Sequence, residues 1–206
     1  NDRTQDILEK LSKRLKLTQY PHRIECFDIS NFQGSQIVGS MVVFEDGIPD
    51  RSSYRHFKVR TTSGQNDFAS MYEVLLRRFK RAHTGDWPKP DLVVIDGGKG
   101  QLAQAIAVMS DLGIHDVDVV SLAKARVDPD VQASDVSKTP ERVFLPGRKN
   151  PVILRQNSAE LFMLTRLRDE AHRCAITFHR KQRRKSSLRS ALDNIDGIGP
   201  KRRKAI

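Results

Sequence analysis

Cysteine is nearly missing from this chain of 206 residues: Cys26 and Cys174 are the only two, both in apolar surroundings and neither at metal-ligand spacing. That excludes a disulfide framework and a cysteine-built zinc site, and predicts two reduced core thiols in a cytoplasmic protein. Long hydrophobic runs are missing as well. None approaches the ~20 residues that span a bilayer, and no secretory signal is visible, so no membrane partner is expected. Internal repeats and low-complexity tracts are absent too, which argues for an ordinary globular domain. With 38% apolar residues, the chain can build a core without covalent staples. It opens on Asn1 rather than Met, which reads as a piece of something longer.

Charge is present in excess and unevenly spread. Residues 168–206 hold 12 Lys/Arg against 4 Asp/Glu, a net +8, whereas residues 1–167 hold 24 against 21, a net +3. A basic end on a balanced body predicts a polyanion-binding surface, set against the plainer alternative of a solvated helix face. Phe178 is the only Phe, Trp or Tyr in that end. Contacts to duplex phosphates therefore fit better than stacking on single-stranded bases.

Two apolar runs, Ile24-Glu25-Cys26-Phe27-Asp28 and Leu92-Val93-Val94-Ile95-Asp96, read as buried strands that each end in an aspartate. Functional groups of an open α/β sheet gather outside the carboxyl ends of parallel strands, where these carboxylates could share a divalent cation. The alternative is that each merely starts a turn, a role Asp96-Gly97-Gly98 would fill well.

The element pattern decides how the runs sit. Ile7, Leu8, Leu11 and Leu15 predict a lead helix over 4–17, ended by Pro21. Strands follow at 23–29, 36–45 and 52–60, the second and third joined through a Glu45-Asp46-Gly47 hairpin signal. Phe68, Met71, Tyr72, Leu75, Leu76 and Phe79 predict a helix over 67–81. Next come a strand at 91–95, a helix over 101–112, and a strand at 116–122. A long loop over 124–151 carries a short strand at 142–145. Asn157-Ser158-Ala159-Glu160 opens a long helix reaching Lys185. Three antiparallel strands, then helix, strand, helix, strand, helix, is the order of the ribonuclease H-like fold, a mixed five-stranded sheet flanked by helices. In that order the first and fourth strands are parallel neighbours, which sets Asp28 beside Asp96. The domain is expected over 21–186, with a lead helix and linker over 1–20 and a small tail over 187–206.

A phosphodiester hydrolase on this fold needs further ligands from helices. Asp67 starts one helix, where the plain reading is a charge favoured by the helix dipole. On the long helix, Arg168, His172 and His179 fall along one border of the apolar arc. His172 is thus the ligand candidate, Arg168 and His179 its partners for phosphate, and the plain reading a border histidine with no task. Asp169-Glu170-Ala171-His172 also spells a helicase box. That reading fails because the phosphate loop it requires is broken: position 93 is Val and position 100 is Gly.

Four segments together resemble the carboxyl-terminal half of the UvrC family, the incision subunit of bacterial nucleotide excision repair. They are residues 23–31 (RIECFDISN), 66–71 (NDFASM), 94–102 (VIDGGKGQL) and 168–173 (RDEAHR). The resemblance implies an endonuclease domain that cuts double-stranded DNA on the 5′ side of a lesion, with the damage-recognition subunit UvrB as partner. It further implies an Asp28, Asp96 and His172 metal site with Asp67 as an additional acid. All-oxygen sites prefer Mg²⁺ and a histidine nitrogen raises relative affinity for Mn²⁺, so either is expected. Lys99, Arg168 and Arg173 are expected phosphate clamps. The tail, with Gly197, Gly199 and Lys201, resembles the first hairpin of the family's helix-hairpin-helix module, whose bare backbone N–H groups suit a phosphate. The chain ends at Ile206, inside that hairpin, and lacks the family's amino-terminal nuclease half. Two other readings remain: a non-catalytic DNA-binding scaffold of the same fold, and a stand-alone endonuclease V-like repair nuclease.

Overall fold

The computed structural model describes residues 2–32, 36–60, 67–85, 87–124 and 141–193. Helix α1 (Asp2–Leu15) precedes strands β1 (Arg23–Phe32), β2 (Gln36–Glu45), β3 (Ile48–Pro49) and β4 (Arg55–Lys58). Helix α2 (Asp67–His83), strand β5 (Leu92–Asp96), helix α3 (Lys99–Asp111) and strand β6 (Asp118–Ala123) follow. Short strands β7 (Arg142–Phe144) and β8 (Val152–Ile153) lead into helix α4 (Ala159–Asp193). The strands form one sheet in the order β3-β2-β1-β5-β6-β7-β8, with β4 also paired to β2. β1 is antiparallel to β2 and parallel to β5, and β5 is parallel to β6. This is the expected ribonuclease H-like arrangement, extended at one edge by β7 and β8.

Period-two alternation assigns the two faces. Ile24, Cys26, Val42, Phe44, Leu92 and Val94 pack with Leu8 and Leu11 of α1 and with Leu164, Leu167 and Ala171 of α4. Phe27, Met41, Val43, Val93 and Ile95 pack with Met71, Leu75 and Phe79 of α2 and with Leu102, Ala105 and Val108 of α3. Both cysteines are free and buried. Among the described residues, no helix is long and apolar enough to cross a membrane.

Several boundaries differ from the sequence expectation. α1 does not reach Pro21. It ends at Leu15 because Lys16 turns left-handed (φ 53°), the Lys16 N–H bonding Lys13 O and the Leu17 N–H bonding Ser12 O. The β2–β3 hairpin forms as predicted, with positive φ at both Asp46 and Gly47. The third strand is interrupted: Pro49 offers no N–H, and Asp50 accepts from the Ser52 N–H and both serine hydroxyls to close a 3₁₀ turn over Arg51–Ser53. α3 starts at Lys99, two residues early. α4 runs unbroken through Ser186-Ser187 to Asp193, so position 187 falls within a helix; serine only weakly disfavours one. Ser158 caps its start, accepting from the Leu161 N–H.

One ion pair is fully enclosed between α2 and the sheet. Arg78 donates from Nε and Nη2 to the two carboxylate oxygens of Glu25 at 2.9 and 2.7 Å, and both side chains are 0% exposed. Arg23 also reaches Glu25 Oε1, but at 3.4 Å, so removing Arg78 leaves a buried carboxylate with only that long contact. Arg78→Met should therefore cost about 3–5 kcal/mol in a urea unfolding titration. A loss under about 1 kcal/mol would mean that the pair is not desolvated as described.

Candidate active site

The parallel β1–β5 ladder ends with Phe27 opposite Ile95, so the next residues, Asp28 and Asp96, stand side by side at the carboxyl ends of two central strands. Both continue the alternation of Cys26 and Val94 and face the α4 side. Asp28 is 6% exposed and hydrogen-bonded to Asp96, yet its Oδ2 is buried with no partner among the described residues. Burial first, then the adjacent Asp96 charge and the shared hydrogen bond, push the Asp28 carboxyl up from its ordinary range to about 7, against the pull of Lys124. Beneath it, burial raises the Cys26 thiol well above its ordinary value, with Asp96 and Asp28 adding to the effect.

The turn after β5 shapes the cleft. The Gly97 N–H bonds Leu122 O of β6 at 3.1 Å, and the Gln101 side chain accepts from the Gly98 N–H at 3.2 Å. α3 thus starts immediately beside Asp96. Asp67, exposed at the first position of α2, lines the same cleft as Asp28 and Asp96. Lys124 and Arg142 complete the lining from the ends of β6 and β7. Neither cation was expected from the sequence. The strand-end rule that singled out the aspartates applies to Lys124 equally, since it follows the buried run Ser121-Leu122-Ala123. Arg142 gave no such signal because it enters from the far edge.

The α4 residues divide. Arg168 is buried and bonds Glu141 at 2.7 Å, and His179 is buried with its ring nitrogen 2.8 Å from the Ser30 hydroxyl. Burial lowers the His179 pKa. His172, between them, is exposed and is not part of the cleft lining. Helix geometry explains the split: at 100° per residue, His179 lies about 20° from Arg168 around the axis and His172 about 40°. The arc against the sheet extends past the first two and stops short of the third. Arg173 is not brought to the cleft either. It bonds Glu170 at 2.6 Å, and Glu170 accepts from the Tyr54 hydroxyl on the other flank of α4. Lys99 is exposed at the start of α3, with Nζ 3.5 Å from Lys149 O. Gly197, Gly199 and Lys201 lie outside the described residues.

Asp28, Asp67 and Asp96 therefore share one cleft. Among the described residues, however, no three acidic, histidine or cysteine side chains converge closely enough to enclose an ion. The donor chemistry still fits a divalent cation. A buried carboxylate oxygen without a partner, beside a second carboxylate, is a high-energy arrangement for two anions and is relieved by a cation between them.

A mixed sheet with paired carboxylates at its central parallel strand ends, enclosed by helices on both faces, defines a nuclease domain of the ribonuclease H-like class. The comparison with known sequences is more specific: residues 12–176 match the UvrC RNase H endonuclease domain, and the chain belongs to that family. Similar curated proteins include UvrABC system protein C of Geobacter metallireducens, 56% identical over 97% of this chain and 32% of its own length. That of Bdellovibrio bacteriovorus is 54% identical over 97% of this chain and 31% of its own length. The chain thus spans about a third of these relatives. Among solved structures, the catalytic domain of human endonuclease V aligns at 13% identity with a TM-score of 0.43, over 91% of this chain and 99% of that one.

Proposed function

We propose that this domain is a Mg²⁺- or Mn²⁺-dependent DNA endonuclease that makes the 5′ incision in bacterial nucleotide excision repair. In this reading it acts on lesion-bearing duplex delivered by UvrB. The observation that carries the proposal is the orphaned Asp28 Oδ2 against Asp96 at the parallel strand ends. Membership of the UvrC family supports the pathway and the partner. Asp28 and Asp96 would hold the cation, Asp67 would act as a further acid across the cleft, and His172 would complete the site from α4. A divalent cation there lowers the pKa of a nearby water and offsets charge on the phosphate.

The protein's own groups supply the rest. Asp28 and Asp96 fix the position at which charge is gathered, and the buried floor beneath them strengthens every electrostatic contact. Lys124 and Arg142, at the ends of β6 and β7, meet phosphoryl oxygens as negative charge develops. Lys99 stands at the α3 start as a further phosphate contact. Arg168 acts at one remove, holding Glu141 and hence the approach of Arg142 to the cleft. A nicking assay on lesion-bearing duplex with the excision partners tests the activity. Incision that requires Mg²⁺ or Mn²⁺ and UvrB supports it, and incision of undamaged DNA without partners would favour a stand-alone nuclease.

The role of His172 has its own test. If its imidazole is a ligand, His172→Ala should weaken Mn²⁺ binding about tenfold or more while leaving the unfolding midpoint almost unchanged. Equal affinity by calorimetry for wild type and His172→Ala would reduce the site to its carboxylates.

A further inference from the structure

Phe68 lies outside every role described above and is not in the cleft lining, yet it borders the cleft. It is 49% exposed, an unusual position for a phenyl ring on a helix whose other large apolar residues are mostly buried. Its chain neighbour Asp67 and its helical neighbour Met71, three residues on, both line the cleft. Across the gap, the ring edge rests on Gly100, between the cleft-lining Gly98 and Gln101. A Cβ at residue 100 would stand only 2.5 Å from Phe68 Cζ, so the glycine leaves the space that the ring edge occupies. One edge of the ring is thus pinned between the starts of α2 and α3 while much of its surface faces solvent. Lys124 and Arg142, which line the same cleft, suit a phosphate rather than a base.

We propose that Phe68 is a nucleobase-stacking platform beside the scissile phosphate. In this arrangement the backbone of the cleft-bound strand meets the cations and one neighbouring base, unpaired or locally unstacked, lies on the ring. The inference rests on the cleft being a nucleic-acid site, as proposed above. Contact of the ring edge with Gly100 limits its rotation, which lowers the ordering cost of stacking. Every base has a π-face, and the platform is indifferent to sequence. The basic end of the chain, poor in aromatics, supplies phosphate contacts, and this single ring supplies the base contact.

The test is equilibrium binding of the full-length protein to a duplex with a short unpaired stretch, in which an abasic nucleotide is moved one position at a time. Phe68→Leu should weaken binding roughly tenfold, within the range measured for base–aromatic stacking, and Phe68→Tyr should retain it. At one position the abasic substitution should weaken wild type by a similar factor and Phe68→Leu by little more. Gly100→Ala, which displaces the ring without removing it, should reproduce the leucine effect. Additive losses at every position, or wild-type affinity in Phe68→Leu, would overturn the platform. Because the readout is binding, loss of incision alongside the expected non-additive losses at one position would overturn the nuclease reading alone.

Discussion

Asp28→Asn and Asp96→Asn should each lower the single-turnover incision rate by at least roughly a thousandfold. Each removes one of the two carboxylates around which the proposed cation is held, and stabilisation by such a cation is worth several kcal/mol in the transition state. The same substitutions should leave the fold intact. Asp28→Asn should in fact raise the unfolding temperature of the metal-free protein near pH 8, because it replaces a buried anion by a neutral group that can donate to Asp96. Activity and stability then move in opposite directions, as expected where a site holds unfavourable charge for function. Incision within tenfold of wild type by either variant would remove the shared-metal model.

Stability should also fall with rising pH in the metal-free protein, over a window set by Asp28. Its folded-state pKa, about 7, lies above the ordinary carboxylate value near 3.8, so between those limits the folded state holds a proton that the unfolded chain has released. The contribution is fully present below about pH 4 and is lost as pH climbs through about 7. The loss is on the order of a few kcal/mol. A divalent cation should reverse the trend by ionising Asp28, so that added Mn²⁺ stabilises more at pH 8 than at pH 6. Urea midpoints across pH 5–8, with and without Mn²⁺, measure both slopes, and Asp28→Asn should flatten both. A metal-free midpoint that rises through this window in wild type and not in the variant would contradict the shift.

The sequence was most legible where covalent order alone decides position. An apolar run ending in aspartate, met twice in the order that makes β1 and β5 parallel neighbours, fixes Asp28 beside Asp96 without any packing detail. The Asp46-Gly47 hairpin was readable for the same reason, since only backbone conformation is involved. What escaped depends on contacts between distant segments. Whether His172 lies inside or outside the arc of α4 is a matter of about 20° of rotation, set by docking against β1 and β2. The burial of Arg168 follows from Glu141, which lies 27 positions earlier in the chain. Arg142 reaches the cleft only because β7 adds to the sheet beyond β6. The early end of α1 hangs on Lys16 adopting a conformation more usual for glycine, a choice no hydrophobic period reports.

If Asp28 and Asp96 share one divalent cation, it displaces the proton that the raised pKa of Asp28 retains. Calorimetric titration of the protein with Mn²⁺ near pH 6.5, in two buffers of different ionisation enthalpy, measures affinity and proton release together. Wild type should show one tight binding event that releases most of a proton, and Asp28→Asn and Asp96→Asn should each show little binding. Binding without proton release, and of equal strength in both asparagine variants, would contradict a shared cation.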